Sequence, residues 1–232
     1  SVAFDGGTKK VLENINLSFG KGEVVAIVGN SGVGKTTLIK LVSGLVEFEG
    51  SVMFDERSLA DFSIVDSHDM IGYLPQDVLL VPGTIADNIA GLRKPDSDQV
   101  VNVAKLVGIH DFILKFPDGY DTDITASLHT FSGGERQRMG LARAIYNKPA
   151  CLFLDEPNSA LDYSGELALK NVISNCKDNG MIVLVVTHRR SVLSYSDRVL
   201  DLSDIKGLQL QGAEDFIKSF RSKAEFDKRF TF

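Results

Sequence analysis

The residues with the clearest capacity for chemistry form a glycine-rich loop behind an apolar run. Residues 24–28 are all apolar, and the loop after them fits G-x-x-x-x-G-K-[ST], ending in Lys35 and Thr36. In such a loop, backbone N–H groups and the start of the next helix face an anion. The lysine reaches the β- and γ-phosphates, and the hydroxyl is a magnesium ligand. The spacing therefore predicts nucleoside triphosphate binding by Gly29, Asn30, Ser31, Gly32, Val33, Gly34, Lys35, Thr36 and Thr37.

Two consecutive carboxylates follow another apolar run. Asp155 and Glu156 come directly after residues 150–154, which predict a buried strand. In a phosphate-loop site, a carboxylate at this position holds magnesium directly or through water, so Asp155 is the predicted metal ligand. Glu156 is then placed to polarise a water molecule toward the γ-phosphate. Acidic residues also mark ordinary solvated strand ends, and it is the presence of Lys35 and Thr36 that favours the catalytic interpretation.

A second phosphate-binding position is predicted where Ser132 and Glu135 flank two glycines before a helix at residues 136–146. Serine at the N-cap with glutamate three residues later forms a capping box, which accounts for both of these residues. The box does not account for Gly133 and Gly134, because glycine costs a helix about 1 kcal/mol per residue. Bare backbone N–H groups open to an anion would account for them.

Apolar runs alternate with helical stretches along most of the chain. The alternation predicts an α/β fold with a mostly parallel sheet and helices on both faces. The predicted core strands are residues 24–28, 71–74, 150–154 and 181–186. We also expect antiparallel strands near the N-terminus, at residues 2–4, 11–12 and 15–19, and edge strands at residues 199–202 and 208–210.

The character of the chain changes from strands to helices between the second and third core strands. We expect a single domain over residues 1–232, in which a helical subdomain of about 77–146 is inserted into a core of about 1–76 and 147–232. Within the insertion, Thr84 is a predicted N-cap with Asp87 three residues on.

Composition limits the classes of partner. The chain has 25 Lys and Arg against 31 Asp and Glu, a net charge of −6, which argues against a nucleic-acid-binding surface. Cys151 and Cys176 lie in apolar runs without C-x-x-C spacing, which predicts reduced, buried thiols. No apolar run approaches the ~20 residues of a membrane span. Because the sequence opens at Ser1 on strand-like residues, we expect a domain of a longer chain.

Together these motifs resemble the nucleotide-binding domain of an ABC transporter. The matching segments follow one another along the chain at residues 29–36, 76, 131–135, 154–157, 159–162 and 187–188. In that family the serine–glycine–glycine segment is the signature motif, which binds the γ-phosphate of ATP held by the other subunit of a head-to-tail dimer. The resemblance implies a P-loop NTPase core of the RecA-like type, with ATP and Mg²⁺ as cofactors and ATP hydrolysis as the activity. It also implies a second nucleotide-binding domain, expected to be an identical copy, as the partner.

The resemblance also implies roles for individual residues. Gln76 would contact magnesium and sense the transmembrane domain, Asp162 would close the D-loop at the dimer interface, and His188 would contact the γ-phosphate. The implied catalytic residues are then Lys35, Glu156 and His188, and the metal ligands are Thr36, Gln76 and Asp155. The remaining nucleotide contacts come from Ser132, Gly133, Gly134, Glu135 and Asp162.

Several segments narrow the resemblance to exporters. Residues 73–77, 83–89 and 117–122 are similar to exporter ATPases, and residues 155–159 resemble type I protein-secretion ATPases. Such a domain follows a six-helix transmembrane domain on the same chain, at the cytoplasmic face of a membrane, here expected to be a bacterial inner membrane. Four alternatives stay open: another exporter (of lipid or drug), an importer ATPase, a soluble non-transport ABC ATPase, and a degenerate site that binds ATP and only regulates.

Three departures from the family pattern stand out. The tyrosine that stacks on adenine is replaced by Asp5-Gly6, and Phe4 is the expected substitute. The signature begins with Phe131 and ends in Glu135, which adds a negative charge near the partner's phosphates. Residues 125–130 replace the acidic, glycine-containing loop of exporters, a change that bears on contact with the membrane domain and not on ATP binding.

Overall fold

The structure, a computed structural model, describes residues 2–3, 10–12, 15–63, 66, 69–91, 93–126, 131–203, 209–220, 222 and 225–226, with the backbone alone at residues 2–3 and 10–11. The strands are β1 (Val2–Ala3), β2 (Lys10–Leu12), β3 (Val24–Val28), β4 (Met53–Phe54), β5 (Arg57–Ser58), β6 (Ile71–Leu74), β7 (Cys151–Asp155), β8 (Ile182–Val186), β9 (Arg198–Asp201) and β10 (Leu210–Gly212). The helices are α1 (Lys35–Val42), α2 (Ile85–Ala90), α3 (Ser97–Leu106), α4 (His110–Ile113), α5 (Gly133–Ile145), α6 (Tyr163–Asp178), α7 (Arg190–Leu193) and α8 (Ala213–Lys218).

A six-stranded sheet in the order β10-β9-β3-β8-β7-β6 forms the centre of the fold. Five of its strands run parallel, and β10 pairs antiparallel with β9. Separately, β1 and β2 pair antiparallel near the N-terminus. The predicted α/β fold with a mostly parallel sheet and N-terminal antiparallel strands is therefore confirmed.

The core strands are buried because helices cover both faces of the sheet. All five residues of β3 are fully buried, and for that reason its sequence shows no polar alternation. Along β7, Leu152 and Leu154 join an apolar cluster with α2, α3, α5 and α6, whereas Cys151 and Phe153 join one with α1. Successive side chains of a strand point to opposite faces, so one short run serves both clusters.

Two strand predictions need correction. Residues 199–202 were expected at an edge, but β9 lies inside the sheet between β3 and β10, and Val199 and Leu200 are fully buried. Residues 15–19 do alternate in exposure, yet they form no strand. Ile15, Leu17 and Phe19 pack against the α1-side cluster, so their alternation reflects a chain that lies on the core and pairs with no strand among the described residues.

The stretch between β6 and β7 is mainly helical, as predicted. Thr84 caps α2 through a capping box with Asp87. The apolar residues of α2, α3 and α4 belong to the same cluster as those of β6, β7 and β8. Whether residues 77–146 form a separate subdomain stays a prediction. Among the helices of the described residues, none has the length and apolar character that crossing a membrane requires.

Candidate nucleotide site

The predicted site residues gather at the carboxyl edge of the parallel sheet. The glycine-rich loop follows β3, Gln76 follows β6, Asp155 ends β7, and His188 follows β8. Parallel strands deliver their carboxyl ends to the same edge, and in open α/β sheets that edge is where ligands bind. Residues far apart in sequence therefore share one face of the molecule.

The loop after β3 has the shape of an anion cradle. Gly34 is the N-cap of α1 with a φ of 108°, a left-handed conformation that favours glycine, and no side chain caps this helix. At Gly29, a Cβ atom would lie 2.9 Å from Cγ1 of Val33, so glycine is needed for the tight turn. The first N–H groups of α1 are therefore open to an anion.

Lys35 lies along this loop and is 7 % exposed. Its Nζ donates to the carbonyl oxygens of Gly29 at 2.8 Å and Asn30 at 3.0 Å. Burial lowers the pKa of Lys35, and the nearby charges of Glu156 and Asp155 act in the opposite direction. An anionic phosphate in the cradle would give the ammonium group a stronger partner than two neutral carbonyl groups.

Asp155 supplies a carboxylate that fits a cation. The residue is 1 % exposed, and its Oδ1 atom has no hydrogen-bond partner among the described residues. Burial raises the pKa of Asp155, although a hydrogen bond with the Thr36 side chain opposes the rise. A buried carboxylate oxygen without a partner is costly. Carboxylate and hydroxyl oxygens together are ligands of the kind that Mg²⁺ takes alongside phosphate oxygens.

Glu156 is held by two of the other predicted site residues. Gln76 Nε2 donates to Glu156 Oε2 at 3.3 Å, and His188 Nε2 lies 3.1 Å from Glu156 Oε1. The backbone of Glu156 has a φ of 49°, a left-handed conformation that costs a non-glycine residue about 1–3 kcal/mol. Its N–H donates to the Val186 carbonyl at 3.1 Å, which fixes that conformation. The structure thus brings Gln76, Glu156 and His188 together beside Asp155.

The helix start at Ser132 is built as a capping box. Ser132 Oγ accepts from the Glu135 N–H at 3.3 Å, and Glu135 Oε2 accepts from the Ser132 N–H at 2.7 Å. A Cβ atom at Gly133 or Gly134 would come within 3.2 Å of Ala160, so both glycines allow close packing of residues 158–161. Hydrogen bonds among the described residues do not join Ser132 to the Lys35 loop. The helix start at Ser132 is therefore not tied to the Lys35 loop by a direct hydrogen bond among those residues.

Asp162 serves as the N-cap of α6. Its Oδ1 accepts from the Gly165 N–H at 2.8 Å, from Ser164 Oγ at 2.9 Å and from Arg138 Nη2 at 2.9 Å. These contacts, the Gly165 N–H first, lower the pKa of Asp162. Through Arg138, which lies on α5, the residue ties the start of α6 to the helix that begins at Ser132.

Some of the predicted residues lie outside the part of the chain that the structure describes, and one hydrogen-bond network was not predicted. Phe4, Asp5 and Gly6 lie outside the described residues, as do residues 127–130 of the loop before α5. Sequence reasoning also overlooked the contact between Arg143 and Asn88. The available signal was an amide in α2, a short helix whose other residues apart from Asp87 are all apolar, because a buried amide must find partners.

Comparison with known proteins agrees with this geometry. The sequence model of the ABC transporter family matches residues 12–159. The type I secretion system ATP-binding protein PrsD of Rhizobium meliloti is 40 % identical over 196 residues, which cover 84 % of this chain and 34 % of that protein. A putative multidrug export ATP-binding/permease protein of Staphylococcus aureus is 37 % identical over 192 residues, covering 82 % of this chain and 33 % of that protein.

A solved structure is similar over nearly the whole chain. The structure of a bacterial Atm1-family ABC exporter with ATP bound has a TM-score of 0.85 and 30 % sequence identity, covering 98 % of this chain and 40 % of that one. The chain spans about a third of the length of the two curated relatives. Motifs, site geometry and relatives all agree, and the chain belongs to the ABC transporter family.

Proposed function

We propose that this chain binds ATP with Mg²⁺ and hydrolyses it to power an ABC exporter. The observation that supports the proposal best is the cluster of Gln76, Glu156 and His188 beside the unpartnered carboxylate oxygen of Asp155. A water-polarising carboxylate and a cation-binding carboxylate must be neighbours with distinct oxygens, and consecutive residues at a strand end meet that need.

Each residue then has a defined task. Lys35 and the N–H groups of its loop hold the β- and γ-phosphates, and Thr36, Asp155 and Gln76 would hold the metal ion. Bound Mg²⁺ supplies charge neutralisation at the phosphate oxygens. Glu156 polarises the attacking water and accepts its proton, while Gln76 and His188 keep the carboxylate oriented. His188 also contacts the γ-phosphate from the end of β8.

A second copy of the chain completes the site. Ser132, Gly133 and Gly134 lie at a helix start that, within the part of the chain that the structure describes, makes no hydrogen bond to the Lys35 loop. In a head-to-tail dimer this start would meet the γ-phosphate held by the partner, with Glu135 beside it and Asp162 at the interface. Two nucleotides are then enclosed between two chains, and hydrolysis separates them.

The export reaction belongs to the longer protein that we infer around this domain. The relatives are about three times as long as the matched segment, which leaves room for a six-helix transmembrane domain on the same chain. The domain would then sit at the cytoplasmic face of a membrane, the inner membrane in a bacterium. Similarity to a type I secretion protein favours protein or peptide cargo. Similarity to multidrug export proteins favours the second candidate, a drug or lipid exporter.

Phosphate release by the purified chain tests the enzymatic part. Steady release with Mg·ATP, lost in Lys35→Ala and kept in the exposed control Glu214→Gln, is the expected result. No release by the parent chain at any protein concentration would reject ATP hydrolysis. For the cargo, deleting the parent gene should remove a secreted protein from the medium, whereas a change in drug sensitivity alone would favour the second candidate.

A further inference from the structure

Helix α5 begins at the Ser132 cap and, two turns later, packs on the residues that flank Gln76. A Cβ atom at Gly140 would lie 2.8 Å from both methyl groups of Val78 and 2.9 Å from Cδ1 of Leu74. At Gly72 in β6, a Cβ atom would lie 2.1 Å from the carbonyl oxygen of Ala144. Close packing of this kind lets the helix and residues 72–78, the Gln76 segment, transmit displacement to each other.

Arg143 adds a directional link at the same place. Its Nη1 donates to the Leu79 carbonyl at 3.1 Å, its Nε to the Asn88 carbonyl at 2.8 Å, and its Nη2 to Asn88 Oδ1 at 3.0 Å. The planar guanidinium presents these donors in a fixed fork, which the single ammonium group of lysine cannot reproduce. Three bonds therefore fix Arg143 to residues that follow Gln76 closely in sequence.

Asn88 extends the link inward. Its side chain is fully buried, accepts from the Val81 N–H at 2.9 Å, and donates to the carbonyls of Val81 at 2.9 Å and Thr84 at 3.0 Å. Both functional groups of the amide are thus bonded, and residues 79–84 are fastened to α5 through one buried side chain and one arginine. A fully satisfied polar network of this kind rigidifies the elements that it joins.

We propose that Arg143 is a positioning residue that makes the helix start at Ser132 and the Gln76 segment move as one body. The inference rests on the proposed function, in which Ser132 meets ATP held by the partner chain. Engagement of that ATP shifts α5, and Arg143 carries the shift to residues 79–84. Gln76 then adjusts its hydrogen bond to Glu156, so occupancy of one site is reported to the water-polarising carboxylate of the other.

Hydrogen–deuterium exchange tests the link in chains that carry Glu156→Gln, so that bound ATP persists. With Arg143 present, Mg·ATP is expected to slow exchange both at residues 132–136 and at residues 79–84. In Arg143→Met the first segment still slows, whereas the second no longer responds. Arg143→Lys keeps the charge and loses the fork, so it should give an intermediate response.

A kinetic measurement on chains with Glu156 intact completes the test. Arg143→Met is expected to lower kcat about tenfold, a typical coupling between sites. The Kd of the Lys35 loop for ATP should change by less than about twofold, because the hydrogen bonds of Lys35 share no partner with those of Arg143 and Asn88. Ile113→Val is the matched control: Ile113 is fully buried in the same apolar cluster, so the change lowers stability without removing a hydrogen bond of the network.

The outcomes separate the inference from the proposed function. If Mg·ATP still slows exchange at both segments in Arg143→Met and kcat is unchanged, the inference is overturned and the proposed function stands. If Ile113→Val also loses the slowing at residues 79–84, the effect of Arg143→Met reflects lower stability in general, and the inference is overturned. If residues 132–136 do not slow even with Arg143 present, the proposed pairing of two chains is refuted, and the inference falls with it.

Discussion

Replacing Glu156 with glutamine is expected to separate ATP binding from hydrolysis. The glutamine side chain has the size of glutamate, so one oxygen still accepts the bond from Gln76, which spans 3.3 Å in the parent chain. The left-handed backbone, held by the Val186 carbonyl, gains no new strain. What disappears is the negative charge and the capacity to take a proton from water. The change therefore removes the general base and leaves the arrangement of the site as it is in the parent chain.

The expected size of the effect follows from that loss. A positioned general base contributes about 10²- to 10⁴-fold to a rate. At about 1.4 kcal/mol for each factor of ten, Glu156→Gln should raise the barrier by about 3–5 kcal/mol. Gln76→Ala leaves the general base in place but removes one bond that orients it and one of the three expected metal ligands. Its kcat should therefore fall at least about tenfold, the value of one net hydrogen bond, and still less than that of Glu156→Gln.

Steady-state phosphate release and size-exclusion chromatography with Mg·ATP measure the two consequences. We expect Glu156→Gln to retain ATP, elute as a dimer and release phosphate at least about a hundredfold more slowly than the parent chain. Gln76→Ala should show the smaller loss. If Glu156→Gln turned over within tenfold of the parent, or if Gln76→Ala were the slower of the two, the assignment of the water-polarising role would be wrong.

Two further predictions concern stability. Because the pKa of Asp155 is raised above its ordinary value of 3.8, the ionised form is disfavoured in the folded state, and the stability that protonation contributes is lost as the pH rises through the raised pKa. Asp155→Asn should therefore increase the free energy of unfolding by about 1 kcal/mol in metal-free buffer at pH 7, measured as a higher Tm. No gain is expected below pH 3.8, and a lower Tm at pH 7 would contradict the prediction. Gly140→Ala should lower the unfolding free energy measured in urea by about 1–3 kcal/mol, because the new methyl group would overlap Val78 and Leu74. The cost of this overlap exceeds the gain in helix propensity. An unchanged urea midpoint would contradict the prediction by showing that the contact relaxes freely.

Local patterns were enough to propose most of the candidate site. The loop ending in Lys35 and Thr36 was predicted from short-range spacing alone, whereas the role of Asp155 and Glu156 at the end of β7 was predicted from that loop together with the apolar run before them. Both capping boxes, at Thr84 and Ser132, occur where the N-cap pattern placed them. The loop and the two capping boxes are each determined by residues within a few positions of one another, which a single sequence displays directly.

Features that depend on tertiary neighbours were less accessible. The position of β9 inside the sheet depends on the later strand β10. Residues 15–19 alternate, yet they pair with no strand in the described part of the chain. Close packing against Ala160 gives Gly133 a reason that spacing could not reveal. The contact between Arg143 and Asn88 joins residues 55 positions apart, and nothing in the sequence near either residue specifies the other.

The most direct measurement of the central claim mixes two inactive chains. One carries Lys35→Ala, which disables the phosphate loop, and the other carries Ser132→Arg, which blocks the helix start. In a head-to-tail dimer, the mixed pair contains one intact composite site, and half of the pairs are mixed, so equal amounts should recover at most roughly a quarter of the parent phosphate release. The inferred coupling through Arg143 needs ATP at both sites, so its loss in the mixed pair would lower the recovery toward roughly a fortieth. A mixture as inactive as either variant alone would contradict a site shared between two chains.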